Sequence, residues 1–88
     1  MTLQHGRSYR LHLTNTASGG HNFEAKEFFA ASTIAPEDRG KVVNGKIDLA
    51  SRASVNISLI PNAVGPYRLR CTHFMHSAFG MTGTIVVQ

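Results

Sequence analysis

Apolar and polar residues alternate along Ser8–Thr14, with Tyr9, Leu11 and Leu13 on one side and Arg10, His12 and Thr14 on the other. A period of two with one polar face predicts a half-exposed strand. The same rhythm returns in Ser54–Ile60, with Val55, Ile57 and Leu59 inward, and in Tyr67–Cys71, with Tyr67, Leu69 and Cys71 inward and Arg68 and Arg70 outward. His21–Ala25 reads as a short strand and Thr84–Val87 as the closing one. Lys26–Ala31 keeps no clear period and admits a helical turn. Asn15–Gly20 is a loop by composition, and Pro36–Gly40 and Pro61–Pro66 are turns. Asn44-Gly45, set between Val42-Val43 and Ile47–Leu49, is a hairpin signal because both residues tolerate positive φ. Pro66 suits the start of a strand, where its missing N–H does no harm. Six or seven short strands separated by turns predict an all-β antiparallel sandwich with Greek-key connections.

The length agrees with one domain over residues 1–88. A chain of this size buries roughly 60–65% of its unfolded surface, so its core is modest. No apolar run is long enough for a membrane span. Met1–His5 lacks the basic start and apolar stretch of a signal peptide, so an exported protein would be represented here by its mature part. The single cysteine rules out an internal disulfide. Nine Lys/Arg against five Asp/Glu give a net charge of +4. The basic residues are scattered, so the charge reads as a mildly basic surface and not as a nucleic-acid footprint. A surface that steers an acidic partner, with Arg68 and Arg70 as part of it, is the functional alternative. Common hydrolase and phosphate-binding motifs are absent. The five carboxylates, Glu24, Glu27, Glu37, Asp38 and Asp48, offer no defensible acid–base pair.

The chemistry gathers in Tyr67–Met81, which holds the only cysteine, two of the five histidines and two of the three methionines. Cys71, His76 and Met81 follow one another with four residues in each gap. A thiolate, an imidazole and a thioether form a soft donor set that suits copper. Electron transfer requires Cu(I) and Cu(II) in nearly one geometry, and a thiolate with two imidazoles and a weak axial thioether meets that need. The fourth ligand must then be a histidine from elsewhere, and His21, after Gly19-Gly20, is the best candidate. Each residue also has a plainer reading: Cys71 as a small buried hydrophobe, Met81 as a gap-filling core side chain, His21 as a polar loop histidine. The common spacing favours the ligand reading.

On these residues the chain resembles the cupredoxins, small type 1 (blue) copper proteins. The Cys-x4-His-x4-Met spacing is similar to that of rusticyanin and of the type 1 site in multicopper oxidases. Azurin has one residue fewer before the methionine, and plastocyanin two fewer before the histidine. His21-Asn22 resembles the upstream ligand motif of azurins and plastocyanins, and Gly80–Val87 resembles the final strand of the family. The resemblance covers roughly residues 8 to 88. It implies a cupredoxin-like Greek-key β-sandwich or barrel of about seven short strands. The family's first strand would be shortened or lacking, since only Met1–Arg7 precede the strand at 8–14.

The resemblance further implies one type 1 copper per chain, held by His21, Cys71, His76 and Met81. Asn22 would hydrogen-bond backbone of the cysteine loop, with Thr72 and His73 also beside the ligands. His73 has a minority reading as ligand in place of His76. The His-Cys-His cluster of multicopper oxidases is not matched, because Arg70 and Thr72 flank the cysteine. Met75, Ala78 and Phe79 would form an apolar patch for brief docking. The implied function is one-electron transfer, as a carrier and not an enzyme, in the periplasm or another exported compartment. Its partners would be redox proteins such as a c-type cytochrome or a copper or haem oxidoreductase. The chain would be a monomer, or an oligomer if an edge strand lies open. The alternatives are a periplasmic copper-binding or delivery protein, a cupredoxin domain of a larger copper oxidoreductase, and a sandwich that has lost its metal. His5 and His12 carry no role in this reading.

Overall fold

The structure, a computed structural model, describes residues 1–15, 18–71 and 82–88, with the side chains of Cys71 and Thr82 outside the description. In chain order the elements are β1 (Thr2–Leu3), β2 (Tyr9–Thr14), β3 (His21–Glu24), α1 (Lys26–Ala30), β4 (Ser32–Ile34), a 3₁₀ segment (Pro36–Lys41), β5 (Lys46–Leu49), β6 (Ser54–Pro61), β7 (Gly65–Cys71) and β8 (Thr82–Val87). One sheet runs β1-β8-β7-β3-β5 and the other β2-β6-β4. The expected all-β class is therefore met. All the pairings between these strands are antiparallel but one: β1 runs parallel to β8, with Thr2 opposite Val86 and Leu3 opposite Val87.

The alternating stretches become the strands that carry the core. In β2, Leu11 is buried while Arg10 and His12 are exposed; in β6, Ile57 and Leu59 are buried. The register sets Leu11 opposite Ile57 and Tyr9 opposite Leu59. Leu11, Ile57 and Leu59 of the smaller sheet share one cluster with Leu3, Ile47, Leu49, Ile85 and Val87 of the larger. The two sheets thus bury their apolar faces against each other, as two amphipathic layers must.

Lys26–Ala30 resolves into a helix of five residues, too short to persist alone in water. Its stability comes from packing. Phe28 is 0% exposed and Phe29 5%, and Phe28 meets Phe29 and Tyr67 with ring centroids 5.6 and 5.9 Å apart. Two adjacent buried aromatics spoil a simple period, which is why the sequence pattern there is unclear. Ser32 Oγ donates to the Phe28 carbonyl at 2.7 Å, closing the helix as β4 begins.

The Asn44-Gly45 turn forms with φ values of 53° and 78°, the left-handed pair that the dipeptide predicts. It is narrower than expected. Val43 and Lys46 make a single bridge, because the 3₁₀ segment occupies the chain as far as Lys41. The turn is also sterically demanding: a Cβ on Gly45 would lie 2.6 Å from Lys26 Cα, while Ala25 N–H donates to the Gly45 carbonyl at 3.0 Å. The Pro36–Gly40 turn is this 3₁₀ segment. Its buried Asp38 accepts from Ser58 N–H (2.8 Å) and from Lys41 Nζ (2.6 Å), tying the segment to β6.

Candidate metal centre

Of the four expected ligands, the structure describes His21 in full. It is the first residue of β3, half-buried and paired with Leu49 of β5. The expected short strand at 21–25 is thus present, ending at Glu24. His21 shares a face with Phe23, two residues on. Phe23 packs against the core and meets Phe29 edge-on, with centroids 6.0 Å apart. His21 therefore stands on the inward face of its strand, at the margin of the core.

β3 lies between β5 and β7. Phe23 pairs with Cys71 and Glu24 with Arg70. The strand carrying His21 is therefore hydrogen-bonded directly to the strand that ends in Cys71, although the two residues are fifty apart in sequence. Outside the core, Glu24 Oε1 and Arg70 Nε meet at 2.7 Å, a cross-strand ion pair one residue from the Phe23–Cys71 pairing. This pair joins the strand of His21 to the strand of Cys71 on their solvent side. Exposed pairs of this kind contribute about 0–1 kcal/mol, so it adds only a small preference for this register.

The loop entering β3 is held from below by Asn15, which is 5% exposed. Its Nδ2 lies 2.8 Å from the Gly19 carbonyl, 3.2 Å from that of Leu49 and 3.0 Å from that of Ala50. Leu49 is the residue opposite His21, so Asn15 binds the start of β3 to the end of β5. Composition alone marks Asn15 as a loop residue, with no sign that its amide organises the loop. Glu24–Arg70 was likewise hidden. Alternation turns Arg70 outward, but which carboxylate faces it depends on the β3–β7 register.

His5 and His12, to which the sequence gives no role, are used structurally. His5 Nδ1 lies 2.9 Å from the Gln88 carbonyl. His12 bridges Asn56 Oδ1 (2.8 Å) and Thr14 Oγ1 (3.0 Å) on the outer face of the smaller sheet.

Thr72, His73, Met75, His76, Ala78, Phe79 and Met81 lie outside the described residues, as does the Cys71 side chain. Among the described residues no three His, Cys, Asp or Glu side chains gather as a metal site. Among those residues, too, no helix is long and apolar enough to cross a membrane. Compared with protein-family models and with curated proteins, the chain matches none.

Proposed function

We propose that this protein is a one-electron carrier built on a cupredoxin-like sandwich, with a single copper held by His21, Cys71, His76 and Met81. The observation that carries the reading is the pairing of Phe23 with Cys71, which lays the His21 strand against the strand leading into the Cys-x4-His-x4-Met loop. The donor set fits the metal chemically: thiolate, two imidazoles and a thioether are soft to borderline ligands that favour copper over hard cations. Bound copper would supply a reversible Cu(II)/Cu(I) couple.

The chain's own contribution is to hold ligand geometry steady across that couple. His21 sits on a strand paired on both sides, to β5 and to β7. Asn15 holds the loop before it, and Glu24 pairs with Arg70 across the β3–β7 ladder beside Cys71. A histidine so framed moves little between the two metal states, which keeps the barrier to electron transfer low. Met75, Ala78 and Phe79 would provide the apolar docking patch, and a redox protein would be the partner, in the periplasm or another exported setting.

The test is to add Cu(II) to the purified protein and record visible absorption and electron paramagnetic resonance, with Cys71→Ser alongside. An intense thiolate-to-copper band with narrow copper hyperfine splitting, lost in Cys71→Ser, is expected. Weak d–d absorption indifferent to the mutation would remove Cys71 from the metal and end the carrier reading.

A further inference from the structure

A groove of about 650 Å³ opens between α1 and β7, with Lys26 and Glu27 on one wall and Arg68 and Arg70 on the other. Clefts that bind ligands have volumes of roughly 300–1,000 Å³. The groove exists because β3 leaves the sheet early. It pairs with β7 only through Phe23 and Glu24, and the chain then turns into α1 at Lys26. Among the described residues the remainder of β7, from Gly65 to Leu69, is paired with β8 alone.

The direction of the backbone groups along this stretch follows from the opposite edge. Val86 N–H donates to the Met1 carbonyl at 2.9 Å and Gln88 N–H to the Leu3 carbonyl at 2.8 Å. Val86 therefore turns its backbone groups toward β1, and by alternation Thr84 does the same. In an antiparallel ladder, residues opposite each other either exchange both hydrogen bonds or both turn away. Pro66 lies opposite Val86 and Arg68 opposite Thr84. The Pro66 carbonyl and the Arg68 N–H and carbonyl thus point away from β8, toward the groove, where no described strand meets them. Pro66 occupies a register position where its missing N–H costs the β7–β8 ladder nothing.

The charges around this open edge are uneven. Arg70 neutralises Glu24 at 2.7 Å. Neither Lys26 nor Arg68 makes an ion pair among the described residues. Glu27 is the one carboxylate left in the lining, in a molecule of net charge +4. Open strand edges accept an extended segment through main-chain hydrogen bonds, and flanking side chains select its sequence.

We propose that this groove docks an extended acidic segment of a partner protein. The segment adds a short strand to β7 at Arg68, its carboxylates on one face meeting Lys26 and Arg68. The site needs no metal, so it is tested apart from the copper centre.

The experiment follows the amide spectrum of the ¹⁵N-labelled protein at low salt. The probe is the capped peptide acetyl-Glu-Val-Glu-Val-Glu-amide, with the Lys-Val-Lys-Val-Lys counterpart as control. Saturable shifts confined to Lys26, Glu27 and Tyr67–Arg70 are expected for the acidic peptide alone. Arg68→Glu should weaken binding about tenfold, Lys26→Glu should do likewise, and Arg7→Glu should not. Arg68 is exposed, so its variant should keep the native spectrum, and Lys26→Glu gives an independent reading. No shifts, shifts spread over all basic residues, equal binding of the lysine peptide, or unchanged affinity in both variants would overturn the proposal. So would the same shifts on raising protein concentration alone, which would make a second copy the occupant.

Discussion

Asn15 offers the sharpest test of how the loop before His21 is held. Its Nδ2 carries two protons and lies within 3.2 Å of three carbonyl oxygens, those of Gly19, Leu49 and Ala50. Two bonds can be full at one time, with one proton shared. A neutral hydrogen bond contributes about 1 kcal/mol net, and a buried acceptor left without its donor costs about 1–3 kcal/mol. Asn15→Ala should therefore lower stability by about 2–4 kcal/mol, a large part of the roughly 5–15 kcal/mol of a small domain. Asn15→Asp keeps the shape but aims a carboxylate oxygen at those carbonyls, and should cost more at neutral pH. Burial beside carbonyls raises the pKa of the new carboxyl when folded. The variant is then at its best below the ordinary carboxylate pKa, about 4, and loses stability as pH rises through the raised value. Urea unfolding followed by circular dichroism, at neutral and at acid pH, measures both effects. An Asn15→Asp variant as stable as the parent at neutral pH, or one that gains nothing relative to the parent on acidification, would refute this account of the amide.

Two further outcomes are expected. The Lys41 ammonium and the Ser58 N–H hold the Asp38 carboxyl below its ordinary value, so its contribution is present above the ordinary carboxylate range and is lost as pH falls through the lowered value. Asp38→Asn should therefore unfold more readily than the parent near neutrality and narrow the gap in acid, as a thermal melt series against pH would record. Gly45→Ala should destabilise by more than the ~1 kcal/mol of an ordinary positive-φ penalty, because the new Cβ meets Lys26 backbone at 2.6 Å; equal urea midpoints for variant and parent would show that the turn relaxes freely.

Much of the architecture was legible because it rests on local rules. The alternation in Tyr9–Thr14, Ser54–Ile60 and Tyr67–Cys71 names the residues that must leave water, and the structure buries Leu11, Ile57 and Leu59 accordingly. Asn44-Gly45 announces its turn through the φ values it tolerates. The features missed, one short strand and one pairing, are those with no local signal. Ser32–Ile34 is three residues long and shows no period of its own, yet becomes β4 because Ile34 falls opposite Leu59. The parallel pairing of β1 with β8 joins the two ends of the chain, and two residues cannot announce a partner more than eighty positions away.

The candidate centre divides in the same way. The donor types and spacing of Cys71, His76 and Met81 are properties of the chain itself, and so is the chemistry they favour. That the strand of His21 pairs with the strand ending in Cys71 is a property of the β3–β7 register, since forty-nine intervening residues leave local sequence no say in that pairing. The same register makes Glu24 and Arg70 partners, and the diversion of the chain into α1 leaves the Arg68 edge open. The sequence by itself determined which residues seek the core, where the chain turns and which ligand atoms are on offer, because these depend on hydrophobicity, backbone freedom and donor chemistry within a few residues. Only the tertiary structure decided which strands meet, which charges pair and which edge remains exposed, because those depend on how distant segments share one small core.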